Sequence, residues 1–151
     1  MILNKWERIS RHEMMMRMAW VTAMRGTCDR LRVGAIISRD GRAVATGYNG
    51  NVAGMAHCRH TSDAPCDTAV HAEANAIAMS AKHGVSTDGA VLYVTHETCY
   101  ACARLIVNAG IKRVIFMKEY RRHDGTELLR SAGVEVFRLS EEDESLIQVT
   151  R

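Results

Sequence analysis

The sequence predicts an α/β fold, a three-layer α/β/α sandwich around a mixed five-stranded sheet, with the element order αββαβαβαβ. Asp40 and Gly41 separate two β-prone runs, and this dipeptide is a strong signal for an antiparallel hairpin. After residue 70, helical segments alternate with short apolar runs, which is typical of parallel strand pairing. The 151 residues contain no linker, repeat or low-complexity stretch, so we expect one domain spanning residues 1–151.

The first half of the chain predicts a helix and then the hairpin. Apolar residues recur at helical spacing over residues 5–25, and Gly26 follows as a stop signal. The hairpin strands are predicted over residues 33–38 and 43–48. Residues 49–69 have no periodicity and contain the only proline of the chain, Pro65. An irregular segment of this length in a small domain is often functional, so we expect it to border a site.

The second half predicts three helices and three strands. The helices are expected over residues 71–83, 99–108 and 126–132, with Gly84, Gly110 and Gly133 as their stop signals. The strands are expected over residues 91–95, 114–117 and 134–138. The acidic run at residues 141–144, preceded by a cap candidate at Ser140, predicts the start of a last short helix.

Composition excludes several classes of function. Apolar residues make up 47% of the chain and charged residues 25%, which is typical of a globular protein in water. No run approaches the ~20 apolar residues of a membrane span. The N-terminus lacks the apolar core of an export signal, so we expect a cytoplasmic protein with no membrane partner.

The charge balance favours a small anionic ligand over nucleic acid. Twenty basic and 17 acidic residues leave a net charge of +3, whereas nucleic-acid binders usually carry a strongly basic face. We therefore expect no stable nucleic-acid binding. The five cysteines are an odd number and include a Cys-x-x-Cys pair, which in an unexported chain favours metal binding over disulfides.

His71, Cys99 and Cys102 form the strongest candidate metal set. A structural zinc takes four protein ligands, whereas a catalytic zinc takes three and leaves a position open for water. Cys99 and Cys102 are expected at the start of a helix, where thiol pKa values are lowered and i, i+3 spacing places both sulfurs on one face. Glu73 is not needed as a ligand, and a carboxylate beside the metal can transfer protons.

Other interpretations of these residues use the same side chains differently. A structural zinc could recruit Cys58, Cys66 or His57 as a fourth ligand, which leaves Glu73 without a role. A redox dithiol at Cys99 and Cys102 leaves the His-x-Glu pair unexplained.

A second, structural zinc site is also possible in the irregular segment. Its candidate ligands are histidine, cysteine and aspartate side chains close together in sequence, with one more cysteine upstream: His57, Cys58, His60, Cys66, Asp67 and Cys28. Their spacings match no standard zinc finger, and free cysteines are often plain core residues. The sequence leaves both interpretations open, and a count of zinc ions per chain decides between them.

Five short motifs carry a resemblance to a known family. They are Val33-Gly34-Ala35, the Thr-Gly-Tyr-Asn-Gly run at residues 46–50, the run from His71 to Ile77, the run from Cys99 to Cys102, and the run from Asn108 to Ile111. A His-x-Glu followed by Cys-x-x-Cys is the pattern of zinc-dependent base deaminases. The chain resembles the cytidine deaminase-like superfamily and, through the Thr-Gly-Tyr-Asn-Gly element, its deoxycytidylate deaminases.

The resemblance implies a function for each of these motifs. It implies zinc ligands at His71, Cys99 and Cys102 and a proton-transferring Glu73. It also implies substrate contacts from the Asn49 side chain to the deoxyribose, from the backbone around Ala72 to the base, and from Tyr120, which closes over the nucleotide.

The implied reaction is the hydrolysis of dCMP to dUMP and ammonia, which supplies the thymidylate precursor. Members of the family are commonly homohexamers that dCTP activates and dTTP inhibits, so we expect a homo-oligomer with nucleotide effectors. Thr98 departs from the family pattern, which usually has proline before the first cysteine; threonine is also a good cap, so zinc binding is expected to survive. The segment at residues 49–69 is shorter than in relatives that hold a second zinc there.

A monophosphate substrate needs a cationic partner, and we predict Arg32 for this role, with Arg121 or Arg122 as alternatives. Two other functions remain open from sequence. One is a nucleic-acid-editing deaminase of the tRNA adenosine type, which the mild charge and 5% aromatic content disfavour. The other is a non-enzymatic zinc module, which would keep its function after Glu73→Ala.

Overall fold

Helices and strands alternate along the chain in the computed structural model, which describes residues 8–150. Their order and bounds are α1 (Arg11–Ala23), β1 (Gly34–Arg39), β2 (Arg42–Tyr48), α2 (Ala72–Lys82), β3 (Val91–His96), α3 (Tyr100–Asn108), β4 (Arg113–Lys118), α4 (Asp124–Ser131), β5 (Glu135–Leu139) and β6 (Leu146–Gln148). None of the helices in the described residues has the length and apolarity that crossing a membrane requires.

The strands form one mixed sheet in the order β2-β1-β3-β4-β5-β6. Strands β3, β4 and β5 run parallel, because a helix returns the chain between them, while β1 pairs antiparallel with both β2 and β3. Helix α1 packs on one face, with Met15 and Met16 against Ile36 of β1. Helices α2, α3 and α4 cover the other face. The predicted three-layer mixed α/β fold is therefore confirmed.

The predicted number of five strands is wrong, because the described residues contain a sixth strand, β6. Strand β6 pairs antiparallel with β5, with Leu146 opposite Leu139 and Gln148 opposite Phe137. The acidic run at residues 141–144 forms a turn and not the predicted helix start, since the Ser140 N–H donates to the Ser145 carbonyl at 2.9 Å. The turn leaves the four carboxylates exposed and lets Leu146 pack on the core beside α1.

Local signals set the ends of the first elements. The Ser10 hydroxyl accepts a hydrogen bond from the Glu13 N–H at 3.0 Å, so α1 begins at Arg11, later than the predicted residue 5. Residues 5–7 of that predicted helix lie outside the described residues. Asp40 and Gly41 have φ values of 51° and 72°, as a tight two-residue hairpin turn requires, which confirms the predicted hairpin.

Glycine at position 47 brings helix α2 directly onto the sheet. A Cβ atom there would lie 2.2 Å from the carbonyl oxygen of Ala72, so any side chain would push the start of α2 away from β2. Because His71 and Glu73 flank Ala72, this close approach fixes the candidate site residues relative to the sheet.

Candidate metal centre and substrate pocket

The N-terminal ends of helices α2 and α3 lie close together and carry the predicted metal ligands. His71 is the N-cap residue of α2 and Cys99 that of α3, and neither side chain caps its own helix by a hydrogen bond. Both side chains are thus available to face each other across the gap between the helices. Cys102 lies in the first turn of α3 and completes a group whose three donor atoms all lie within 4.8 Å of one another.

The spacing of the three donors fits a tetrahedral zinc ion. The Nδ1 atom of His71 lies 3.4 Å from the Sγ atom of Cys99 and 3.5 Å from that of Cys102. Zinc-to-nitrogen and zinc-to-sulfur bonds of ordinary length, set at the tetrahedral angle, separate their donors by about 3.6 Å. The side chains therefore need little movement to bind the metal.

The electrostatics of the cluster favour one ionised thiol before any metal binds. A hydrogen bond from the Cys102 thiol lowers the pKa of Cys99 to about 4. That same interaction raises the pKa of Cys102, and the hydrogen bond with Cys99 raises the pKa of His71. Metal binding must then displace the proton of the Cys102 thiol, and the raised pKa of His71 strengthens the competition between protons and metal, so the affinity depends on pH.

Glu73 lies in the first turn of α2 and is only 4% exposed. Burial raises the pKa of its carboxyl group, because a charged carboxylate is poorly solvated there. The carboxyl group is not part of the metal-ligating cluster, although it lines the same pocket as His71 and Cys99. A buried carboxyl group with a raised pKa is suited to accept and release a proton during a reaction.

The pocket has a volume of about 110 Å³ and brings together most of the predicted substrate-binding residues. Asn49, Ala72 and Tyr120 all line it. The Asn49 amide also shapes one wall: its Oδ1 accepts from the Val33 N–H and its Nδ2 donates to the Leu31 carbonyl, both at 2.7 Å. Asn49 therefore fixes the backbone of the segment that leads into β1.

Arg32, the predicted phosphate ligand, does not line this pocket. Its side chain is exposed and borders a separate cleft of about 720 Å³. Arg30 lines the pocket instead. Burial acts to raise the pKa of Tyr120, but hydrogen bonds from Arg30 and Arg121 outweigh burial and lower this pKa. Arg122 extends into solvent and pairs with Asp124 at 2.5 Å.

Sequence reasoning missed two charged residues of the pocket, Arg30 and Glu97. Arg30 lies in an irregular segment, where no periodicity indicates which side chains face inward. Glu97 lies between β3 and the N-cap residue of α3, and an acidic residue near a helix start is ordinarily explained by the helix dipole.

A second donor cluster forms from the residues proposed for a structural zinc. It contains three cysteines and one histidine whose donor atoms all lie within 4.8 Å of one another: Cys28, Cys58, His60 and Cys66. The Cys28 sulfur lies 3.4 Å from the Nε2 atom of His60. His57 and Asp67, which the sequence also suggested, are not in the cluster. Four such donors fit a closed tetrahedral zinc site.

The thiols of the second cluster differ strongly in acidity. Burial and the neighbouring Cys28 and Cys66 thiols raise the pKa of Cys58 to about 11. Burial acts to raise the pKa of Cys66. Hydrogen bonds from Thr68 and Ala69 outweigh burial and lower this pKa to about 6. Cys66 therefore supplies a thiolate near neutral pH before a metal binds.

Comparison with known proteins places the chain in a family. Residues 9–118 match the cytidine and deoxycytidylate deaminase zinc-binding region. The ComE operon protein 2 of Bacillus subtilis (strain 168) is 44% identical over 148 residues, which cover 95% of this chain and 78% of that protein. The deoxycytidylate deaminase of Mycobacterium phage D29 is 40% identical over 122 residues, covering 71% of this chain and 94% of the phage protein.

A solved structure agrees with these relatives. The dCMP deaminase of cyanophage S-TIM5, in complex with dCMP and dUMP, superposes with a TM-score of 0.81 at 34% identity, covering 87% of this chain and 98% of that one. This chain belongs to the zinc-binding cytidine and deoxycytidylate deaminase family, which confirms the resemblance seen in its motifs.

Proposed function

We propose that this chain catalyses the hydrolytic deamination of dCMP, in which one water is consumed and dUMP and ammonia are released. The observation that carries this proposal is the meeting of a three-donor metal cluster and a buried carboxyl group at one pocket. The likeness to the S-TIM5 dCMP deaminase over 87% of the chain supports the choice of substrate.

One catalytic zinc is held by His71, Cys99 and Cys102. When bound, the ion supplies a Lewis acid that lowers the pKa of water at the site and so makes a nucleophile available near neutral pH. Two thiolates offset the double positive charge of the ion, so the site is close to neutral before the substrate enters. The two helix starts that carry these side chains add further partial positive charge.

Glu73 transfers the protons of the reaction. Its carboxylate accepts a proton from the attacking water and delivers it to the cytosine ring nitrogen, and a second transfer protonates the departing amine. The raised pKa of Glu73 suits both directions of transfer. Burial also keeps bulk water from exchanging with the proton during the reaction.

The remaining walls of the pocket bind the nucleotide. Ala72 is the first residue of α2, so its backbone N–H has no partner within the helix and is available to the base. Asn49 lies beside the sugar position, and Tyr120 closes the mouth of the pocket. Arg30 replaces Arg32 as our phosphate ligand, because Arg30 is the arginine that lines the pocket next to Tyr120.

A panel of substrates tests the proposal. The purified zinc-loaded protein is incubated separately with dCMP, dCTP, deoxycytidine, cytidine and a tRNA anticodon stem, and ammonia release is followed. Turnover of dCMP well above the others is expected. Deamination of the tRNA stem alone would indicate an editing deaminase, and no turnover of any substrate would favour a non-enzymatic zinc module.

A matched pair of arginine variants tests the phosphate contact. Arg30→Ala is expected to raise KM for dCMP while leaving turnover of deoxycytidine unchanged. Arg122→Ala is the control, because its side chain is 73% exposed and pairs with Asp124. Equal effects of the two variants would contradict the assignment of Arg30.

The second cluster is a structural zinc site, which brings the content to two zinc ions per chain. Its four donors leave no position open for a reacting water. Cys28 and Cys66 also line the substrate pocket, so the metal would hold two of the pocket walls together.

The larger cleft is the site of nucleotide effectors. Its volume of about 720 Å³ lies in the range of small-molecule sites, and Arg25, Arg32 and Arg59 line it. Apolar side chains exposed around it, Met24, Val52 and Met55, suit burial between copies of the chain in a hexamer. Arg32→Ala is expected to abolish a dCTP or dTTP response, measured together with the oligomer mass by light scattering.

A further inference from the structure

Glu97 is a buried carboxylate that belongs to neither metal-ligating cluster and has no role in the proposed chemistry. It lies between the end of β3 and the start of α3, and its side chain is only 2% exposed. A charge in such a place is costly unless hydrogen bonds satisfy it. The partners of Glu97 therefore indicate why the chain keeps a carboxylate there.

All the hydrogen-bond partners that we identify for Glu97 lie in one segment, residues 118–126. Its carboxylate accepts from the Tyr120 backbone N–H at 3.1 Å, from the Thr126 hydroxyl at 2.6 Å, and contacts the Nδ1 atom of His123 at 2.9 Å. Its own N–H donates to the Lys118 carbonyl at 2.8 Å. A single glutamate thus joins the segment to the start of α3.

The segment needs such an anchor because residues 119–123 form neither helix nor strand. At its far end, α4 is held against α3 by Gly125, where a Cβ atom would lie 2.1 Å from the carbonyl oxygen of Thr98. Between these ends, Tyr120 lines the substrate pocket, while Arg121 and Arg122 are exposed. The Tyr120 N–H bond to Glu97 fixes the backbone at the residue that faces the nucleotide.

We propose that Glu97 is a positioning residue for nucleotide binding, which holds Tyr120 at the mouth of the pocket. The effect of Glu97 on dCMP binding rests on the proposed function, whereas the anchoring of the Tyr120 backbone by Glu97 does not. Glu97 lines the pocket, but its carboxylate oxygens are bonded to Tyr120, His123 and Thr126 and lie outside both metal-ligating clusters, so Glu97 acts through Tyr120. Its loss should therefore weaken nucleotide binding and leave the chemical step and the zinc content in place.

A double-mutant cycle tests the path through Tyr120. Glu97→Gln keeps the shape and removes the charge, and we expect KM for dCMP to rise about 10-fold with kcat within about twofold, the loss of one charge-assisted contact. In a Tyr120→Ala background the same change should leave KM unaltered. Independent, additive effects on KM would overturn the proposal, as would a fall in kcat or in zinc per chain.

Hydrogen exchange tests the anchoring without any substrate. The Tyr120 amide should be protected in the wild type and lose at least about 10-fold protection in Glu97→Gln, while the amides of α3 keep theirs. Should Glu97→Gln fail to fold, Thr126→Val removes one donor at constant shape and should lower Tyr120 protection in the same direction. Unchanged protection of the Tyr120 amide in a folded variant would overturn the proposal, even if the protein turns over dCMP. Loss of this protection in a variant of a protein that does not turn over dCMP would contradict only the proposed function.

Discussion

The two metal-ligating clusters of this chain are built on different kinds of structure. His71, Cys99 and Cys102 stand at the starts of α2 and α3, which the sheet and close backbone packing hold in place. The other cluster, Cys28, Cys58, His60 and Cys66, lies entirely in segments without helix or strand. The first offers three donors beside a buried carboxyl group, and the second offers four donors.

In the first cluster the fold positions the ligands for the metal, whereas in the second cluster a bound metal would hold the surrounding segments in place. Helix starts arrange the first set before any ion binds, so the ion adds chemistry more than stability. Residues 51–69 have few backbone hydrogen bonds of their own, so a metal bound there would supply the order that secondary structure does not. Variants of each cluster and of the residues beside it can test that distinction.

Among the variants that keep both metal-ligating clusters intact, Glu73→Gln should produce the largest loss of activity. Removal of a positioned acid–base group costs roughly 10²- to 10⁴-fold in kcat, while the zinc content should not change because Glu73 lies outside the donor cluster. Steady-state kinetics and metal analysis measure the two quantities. The exposed Glu127 of α4 provides a control, and an active Glu73→Gln variant would show that another group transfers the protons.

Single-ligand variants should separate the two clusters by stability. Cys58→Ser is expected to lower the zinc content from about two to about one per chain. It should also lower Tm by about 5–10 °C, the shift that a loss of roughly 2–3 kcal/mol in the free energy of unfolding causes in a chain of this size. Cys99→Ser should lose one zinc and nearly all activity with a smaller change in Tm. Equal Tm shifts in the two variants would contradict the distinction between the clusters.

The sequence predicts the first cluster better than the second, for a physical reason. His71, Cys99 and Cys102 occupy helix starts, and the spacing within a helix makes their relative positions predictable. The second set depends on the course of an irregular segment, so sequence could suggest six candidates but could not select Cys28, Cys58, His60 and Cys66. The same limit explains why the sequence predicted Arg32 as the phosphate ligand and did not indicate Arg30.

The fold shows the same division between regular and irregular parts. Periodicity and glycine stops predicted the four helices and the first five strands, with most ends within a few residues, but α1 begins at Arg11 and not at residue 5. The sequence did not predict strand β6, because this strand has only three residues and follows an acidic run that resembles a helix start. Its pairing is decided by the contact of Leu146 with the core, which is tertiary and leaves no local signal.

Thiol labelling of the metal-free protein should distinguish the clusters by acidity. Cys99, with a pKa of about 4, is a thiolate at both about pH 5 and about pH 7, whereas Cys66, with a pKa of about 6, ionises mainly between them. Iodoacetamide labelling, followed by mass spectrometry after chelation, should therefore rise about 10-fold with pH at Cys66 and hardly at Cys99. Cys58, with a pKa of about 11, should stay unlabelled; equal pH dependence at Cys66 and Cys99 would contradict the assignment.

Thr98→Val should have the smallest effect, and in the stabilising direction. In residues 8–150, Thr98 Oγ1 is the buried side-chain atom that lacks a hydrogen-bond partner. Burial raises the pKa of the nearby Glu73 carboxyl group and Thr98 partly counteracts this rise, but the Thr98 hydroxyl does not reach hydrogen-bonding geometry. Since an unpaired buried hydroxyl costs about 1 kcal/mol or more, the valine should raise Tm by a few degrees.

The same variant also tests how the first cluster is supported. Valine has nearly the shape of the threonine directly before Cys99 and lacks only its unpaired hydroxyl, so the zinc content and kcat should stay within about twofold of the wild type. A rise in Tm with full zinc content would show that backbone packing alone holds the start of α3. Loss of zinc would mean instead that the Thr98 hydroxyl orders the metal ligands, and the first cluster would then depend on a local polar contact as the second depends on its loop.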